Sequence, residues 1–484
     1  MVRVRFAPSP TGFVHVGSLR TALYNFLFAR RHGGVNILRV EDTDRTRLVE
    51  GAVDNLLRTM EWVGITFDEG PVQGGEYGPY TQSERTDIYR KHADELIKNV
   101  KAYPCFCTAE RLDEVRKKMQ AAGQPPMYDR HCRNLTEEEI EVKMEEGIPH
   151  VVRLRVPLGE VITFNDLVRG DVSFDSKTID DQVLLKSDGF PTYHLANVID
   201  DYMMKISHVI RGEEWLSSTP KHVLLYRAFG WESAMPKFAH LPLLLNPDRS
   251  KLSKRQGDVG VEDFRDKGYL PDALINFVAL LGWNPSATEE IYSMDELIQS
   301  FHLEKVNKAG AIFGKEKLDW TNAEYIRKKS PDELLALVKP IASARGYTVS
   351  DDYLKRVIHL MQERARSTFD FIDFARYFFT APTEFEEKSK AKNWTLDAKE
   401  RMIEILTQFK SLSEWTHDSI EGVIRSYAES KTISAGKLIH PLRLAVSGVG
   451  MGPGLFEMLE VIGKEEVCKR LDYALESELI FGVL

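Results

Sequence analysis

Residues 2–44 alternate strand, turn, helix and strand, a pattern that commits the chain to a parallel sheet. Val2, Val4 and Phe6 alternate with Arg3 and Arg5, the period-2 spacing of a strand. Pro8, Pro10 and Gly12 then break the chain. Leu19, Ala22, Leu23, Phe26 and Leu27 follow at helical spacing, and Gly33-Gly34 ends that helix. Val35 to Val40 reads as a second strand, buried on both faces, with Asp42 and Asp44 presented at its end. Such an opening implies ligands at the carboxyl ends of the strands.

A chain of 484 residues exceeds one compact core, so three to five modules are expected. Residues 84–190 change character: they hold a cysteine cluster, a charged helical stretch from Glu137 to Glu146 and the β-rich run Val151 to Val156. This reads as a domain inserted into the sheet, which resumes with Val183-Leu184-Leu185 and His208-Val209-Ile210. From about Pro271 the segments are helix-like, with Leu354, Val357, Ile358 and Met361 on one helical face. The net charge of −9 argues against a generic nucleic-acid binder, although an RNA enzyme can confine its cations to one face. No apolar run approaches the roughly 20 residues of a membrane span, and the start MVRVRFAPSPTG lacks the apolar stretch of a signal peptide. A cytoplasmic protein without membrane contact is expected.

Two segments carry phosphate chemistry. Pro8-Ser9-Pro10-Thr11-Gly12 leads into His15-Val16-Gly17-Ser18 between the first strand and helix. Gly17 permits close backbone approach, the helix start directs its positive dipole end at phosphate, and His15 can donate to an oxygen that gains charge. Lys251-Leu252-Ser253-Lys254-Arg255 lies far downstream, flanked by Asn246-Pro247-Asp248-Arg249 and Gln256-Gly257-Asp258. Three cations on a Gly-flanked loop suit closure over a polyphosphate. Taken singly, the first is a Pro/Gly turn with a surface histidine and the second a solvated loop. No P-loop signature occurs, and the glycines at 448, 450, 452 and 454 have the spacing of a helix-to-helix loop.

The two segments, in this order and separated by an insertion, resemble the HIGH and KMSKS signatures of class I aminoacyl-tRNA synthetases. Wider stretches are similar to the glutamyl-tRNA synthetases: Arg5 to Gly17, Arg39 to Asp44, Gly78-Pro79-Tyr80, Gln82 to Arg85, Leu185 to Ala196, Arg211 to Trp215 and Tyr226 to Trp231. The resemblance runs nearly end to end, most strongly to about residue 260.

It implies an α/β fold: a class I Rossmann-type catalytic domain (residues 1–83 and 194–238), an inserted α+β acceptor-stem-binding domain (84–193), a stem-contact region with the KLSKR loop (239–325) and an all-helical anticodon-binding region (326–484). It implies ligation of L-glutamate to tRNA(Glu), acting as a monomer, with ATP and magnesium. Glutamate would be held by Arg5, Ser9, Glu41, Tyr193, Asn197 and Arg211. ATP would be held by Ser9, Thr11, Gly12, His15, Gly17, Ser18, Glu214, Lys251, Ser253 and Lys254, with His15 and Lys254 catalytic. The chemistry agrees, since a dicarboxylic amino acid needs two fixed cations and one anion. Arg364 falls where the resemblance places an anticodon-reading arginine, the alternative being a solvated helix arginine. Two other functions stay open: a non-discriminating enzyme that also charges tRNA(Gln), and a non-catalytic tRNA-binding protein.

Three of the four cysteines crowd one segment, Cys105-Phe106-Cys107 and, 24 residues later, Cys132. In a cytosolic chain this suggests a metal rather than disulfides. Two readings stand: a tetrahedral zinc site, or three reduced structural thiols. Some bacterial members of the resembled family carry a similar C-x-C-x24-C, with a tyrosine four residues before the last cysteine or a histidine two after it as fourth ligand. This chain has Tyr128 at the first position and Asn134 at the second, with His131 adjacent to Cys132.

Overall fold

The computed structural model describes residues 1–252 and 259–477. They fall into two compact units: Met1–Asp266 with Pro271–Leu318, and Lys267–Leu270 with the chain from Asp319 onward.

The sheet at the heart of the first unit uses β1 (Arg3–Phe6), β2 (Val35–Leu38), β3 (Val161–Asp166), β4 (Gly170–Asp175), β5 (His208–Gly212) and β6 (Lys237–Leu241). β1 and β2 pair in parallel from Arg3↔Val35 to Phe6↔Leu38. The other four form a sheet in the order β4-β3-β6-β5, with β5 and β6 parallel and β3 and β4 a hairpin. Ser207 N–H donates to the Arg3 carbonyl at 2.9 Å, which sets β5 alongside β1. All of β1 is buried, arginines included, because Arg3 pairs with Glu69 and Arg5 with Asp201.

The crossover from β1 to β2 is α1 (Val16–Arg31), with Leu19, Leu23 and Leu27 fully buried and Arg30 and Arg31 in the last turn, where they complement the helix dipole. Gly34 must be glycine, since a Cβ there would sit 2.5 Å from the Val2 carbonyl oxygen. Two further helices, α2 (Tyr193–Met203) and α3 (Thr219–Phe229), flank β5 in the chain.

One expectation is corrected. Val183–Leu185 does not rejoin the central sheet but pairs with Val151–Leu154 in a three-stranded antiparallel sheet completed by Ala102–Cys105. The segment that does join the central sheet between residues 84 and 190 is the β3–β4 hairpin. Three apolar residues suit either sheet, and pairing partners decide between them.

Among its described residues the second unit forms helices joined by turns and loops, and no strand. In α4 (Asp351–Met361), Leu354, Val357, Ile358 and Met361 are all buried, and Ser350 caps the start by accepting from Tyr353 N–H. The glycines at 448–454 connect the helices Gly436–Ser447 and Leu455–Ile462, as their spacing implied. Among the described residues no helix is long and apolar enough to cross a membrane.

Candidate active site

A cavity of about 590 Å³ opens at the carboxyl ends of β1 and β5 and the N-terminus of α1. Its walls bring together every predicted ATP- and glutamate-binding residue that is described: Ser9, Thr11, Gly12, His15, Gly17, Ser18, Glu214 and Lys251, and Arg5, Glu41, Tyr193, Asn197 and Arg211. Ser253 and Lys254 lie outside the described residues. The chain on either side of them is fixed, with Leu252 N–H donating to the Leu244 carbonyl, Val16 N–H to that of Val259, and Val261 N–H to that of Val14.

His15 is the N-cap of α1, in extended conformation. Its Nδ1 accepts from Ser18 N–H at 3.2 Å, which leaves the proton on Nε2, 3.0 Å from the Ser18 hydroxyl. A Cβ at Gly17 would lie 3.0 Å from the His15 ring, so the glycine sets where that ring rests.

Another part of the lining is charged and buried. Arg5 donates through Nε to Asp201 at 3.0 Å. Behind it the fully buried Arg39 bridges Asp201 at 2.7 Å and Glu41 at 2.9 Å. The Asn197 amide, oriented to satisfy both its ends, accepts from Arg39 at 3.0 Å and donates to Asp201 at 3.2 Å. Asp200 continues the network by accepting from Arg85 at 2.8 Å, Tyr89 at 2.8 Å and Gln82 at 2.9 Å. Burial pushes the Glu41 carboxyl up against the pull of Arg39 and Arg5. Burial acts on Asp201 too, yet Arg5 and Arg39 together hold it below the usual carboxylate range.

Arg211 differs. Its guanidinium donates to His240 Nε2 at 3.0 Å, Tyr193 Oη at 2.8 Å, Thr219 Oγ1 at 2.9 Å and the Trp215 carbonyl at 3.3 Å. All four partners are uncharged, and among the described residues no carboxylate pairs with it.

Sequence reading missed Arg39, Asp200, Asp201, Asp166 and His240. A signal existed: the adjacent acids Asp200 and Asp201 follow Leu195, Ala196, Val198 and Ile199 on an otherwise apolar helix, and buried acids need partners. Asp42 and Asp44, presented by the end of the second strand, do not line the cavity; Asp42 accepts from Ser83 N–H, and Asp44 from Thr46 and Arg47.

Two predicted features lie elsewhere. Around Cys105, Cys107 and Cys132 the sulfurs are all within 4.8 Å of one another, and Cys107 and Cys132 are 3.6 Å apart. A tetrahedral zinc with bonds of about 2.3 Å sets sulfurs about 3.8 Å apart, so the donors fit that ion. Tyr128 Oη is 3.3 Å from Cys105 Sγ and 3.6 Å from Cys107 Sγ, while His131 is exposed. In the helical unit, Arg364 is exposed in the turn after α4 rather than within a helix, and its N–H donates to Met361 O. The pKa of nearby Arg443 is lowered, first by burial and further by Arg364.

Comparison with known proteins fits this geometry. Residues 1–320 match the family described as tRNA synthetases class I (E and Q), catalytic domain, and residues 333–475 an anticodon binding domain. The chain belongs to the class I tRNA synthetases, in the glutamate–tRNA ligase family. It is 51% identical to the glutamate–tRNA ligase of Chlorobium chlorochromatii, over 98% of both chains. It is 52% identical to that of Chlorobium phaeobacteroides, over 97% of both. A solved glutamate tRNA ligase from Elizabethkingia meningosepticum, in complex with its amino acid, superposes with a TM-score of 0.92 at 43% identity, covering 98% of this chain and 99% of that one.

Proposed function

We infer that this chain ligates L-glutamate to tRNA(Glu), first forming glutamyl-adenylate from ATP and then esterifying the 3′-terminal adenosine. The observation that carries this is one cavity lined by two buried arginines, a buried glutamate and a helix-capping histidine. A dicarboxylic amino acid matches that charge pattern, with Arg5 and Arg211 taking carboxylates and Glu41 the ammonium. Tyr193 and Asn197 border the same pocket, and Ser9 stands where glutamate and ATP meet.

The glutamate α-carboxylate attacks the α-phosphorus of ATP in line, and pyrophosphate leaves. No protein nucleophile is needed, so the protein's work is to position the reactants and stabilise charge. His15 supplies the Nε2–H and Lys254 a cation, and magnesium, when bound, neutralises the phosphates. The 2′-hydroxyl of the terminal adenosine then attacks the adenylate carbonyl, releasing AMP. Residues 84–193 take the acceptor stem, 239–325 the stem below it and 326–484 the anticodon, with Arg364 reading its last base. Zinc, when bound, would be held by Cys105, Cys107, Cys132 and Tyr128 and would tie the strand that ends at Cys105 to the turn holding Cys132.

Isotope exchange between pyrophosphate and ATP tests the reading. Exchange that requires both glutamate and tRNA(Glu) is expected. Its absence with all components present would leave only tRNA binding.

A further inference from the structure

Three adjacent strands each place one polar side chain in a buried row beside the cavity. Asp166 ends β3, His240 lies on β6 and Arg211 on β5; Arg211 and His240 are directly opposite in register, and β3 meets β6 at Asp166↔Phe238. Asp166 is 1% exposed and His240 0%. The Asp166 carboxylate accepts from His240 Nδ1 at 2.6 Å, and also from the backbone N–H groups of Val168, Arg169 and His240.

We propose that Asp166 and His240 are positioning residues that fix Arg211 for the glutamate carboxylate by locking one imidazole tautomer. This rests on the assignment of Arg211 to the glutamate pocket. A carboxylate only accepts, so the proton sits on His240 Nδ1 and Nε2 presents its lone pair to Arg211 Nε–H. The guanidinium is thereby oriented without a carboxylate in contact. Arg5 shows the alternative, since its charge is already shared with Asp201. Placing the compensating acid one imidazole away offsets part of the cost of burying Arg211 while its short-range charge stays available to substrate. Burial also lowers the His240 pKa, which keeps the ring neutral and able to accept.

Asp166→Asn reverses this. The asparagine oxygen stays on the Val168 and Arg169 amides, so its NH₂ faces Nδ1. The ring must then carry its proton on Nε2, donor against the Arg211 donor. His240→Asn likewise removes the acceptor, whereas the longer His240→Gln can offer its amide oxygen to Arg211.

The test is steady-state aminoacylation of tRNA(Glu) by the full chain, with glutamate and ATP varied separately. Asp166→Asn and His240→Asn should raise the glutamate KM roughly 10–100-fold, with the ATP KM within about two-fold. His240→Gln should recover most of the glutamate affinity. A merely structural role would raise both KM values together and give no recovery; either that result or an unchanged glutamate KM in Asp166→Asn overturns the proposal. Should His240→Asn fail to fold, the near-isosteric Asp166→Asn decides. Arg211→Gln separates the two levels. If it raises the glutamate KM and Asp166→Asn does not, the relay alone is wrong. If it leaves that KM unchanged, the glutamate pocket itself is misassigned, and the relay falls with it.

Discussion

Arg5 and Arg211 meet the same cavity in different electrostatic states. Arg5 shares Asp201 with Arg39, so it is at once a pocket wall and part of a buried ion network. Arg5→Gln therefore has two expected consequences. The glutamate KM rises well beyond the ATP KM, because a carboxylate loses its cation. Stability also falls by about 2–3 kcal/mol, the low end for breaking a buried pair, because Arg39 still partners Asp201. Equal rises in both KM values, or no shift in the denaturation midpoint, would contradict this placement. At this scale the sequence was legible where a motif carried the residue: Arg5, Glu41, His15, Tyr193 and Arg211 are all found at one cavity. Asp201, Asp166 and His240 were not, because their roles depend on partners far away in the chain. Asp201 meets Arg5 across 196 positions and Asp166 meets His240 across 74. Local spacing can mark an acid on an apolar helix as needing a partner, but it does not say which residue that partner is.

Elements were legible when their burial pattern was periodic. The first crossover helix and the face of Leu354, Val357, Ile358 and Met361 follow directly from apolar spacing. The short strand Val183–Leu185 did not, since its partner was set by the neighbouring antiparallel strand. The cysteine cluster hangs on that same small sheet, with Cys105 paired opposite Val151 at its edge. Metal analysis of protein purified without chelator should give close to one zinc per chain, lost in Cys105→Ser. No zinc, with all four thiols freely titratable, would mean reduced structural cysteines. In the helical unit, Arg364 stands exposed on a turn, where a guanidinium can make two hydrogen bonds to one base edge and discriminate by about 1–3 kcal/mol. Arg364→Gln should shift the ratio of charging efficiency between tRNA(Glu) and tRNA(Gln) toward the latter. An unmoved ratio, in an enzyme that separates the two, would place discrimination elsewhere.

Across the whole molecule, histidines held neutral in the fold link stability to pH, the half-buried His194 and the buried His222 among them. His194 is held down to about 3, mainly by burial and then by Lys221 and Arg211, and its neighbour His222 is lowered in the same direction. Below the ordinary histidine value of about 6.5 the unfolded chain takes up these protons and the folded chain does not, so stability is full above that pH and declines as the pH falls. Each such histidine contributes a slope of about 1.4 kcal/mol per pH unit. Between about pH 6 and pH 4.5, urea denaturation of His194→Gln should show a correspondingly shallower loss than wild type. An identical slope would mean that His194 is already protonated in the fold. On the proposed reading one reaction uses both units, with amino acid and ATP in the first and the anticodon in the second. Charging of purified tRNA(Glu) with labelled glutamate, in ATP and magnesium, tests this most directly. Wild type is expected to form glutamyl-tRNA, and Arg211→Gln to lose about 100-fold in kcat/KM. No charging by wild type, or glutamine joined as readily as glutamate, would contradict it.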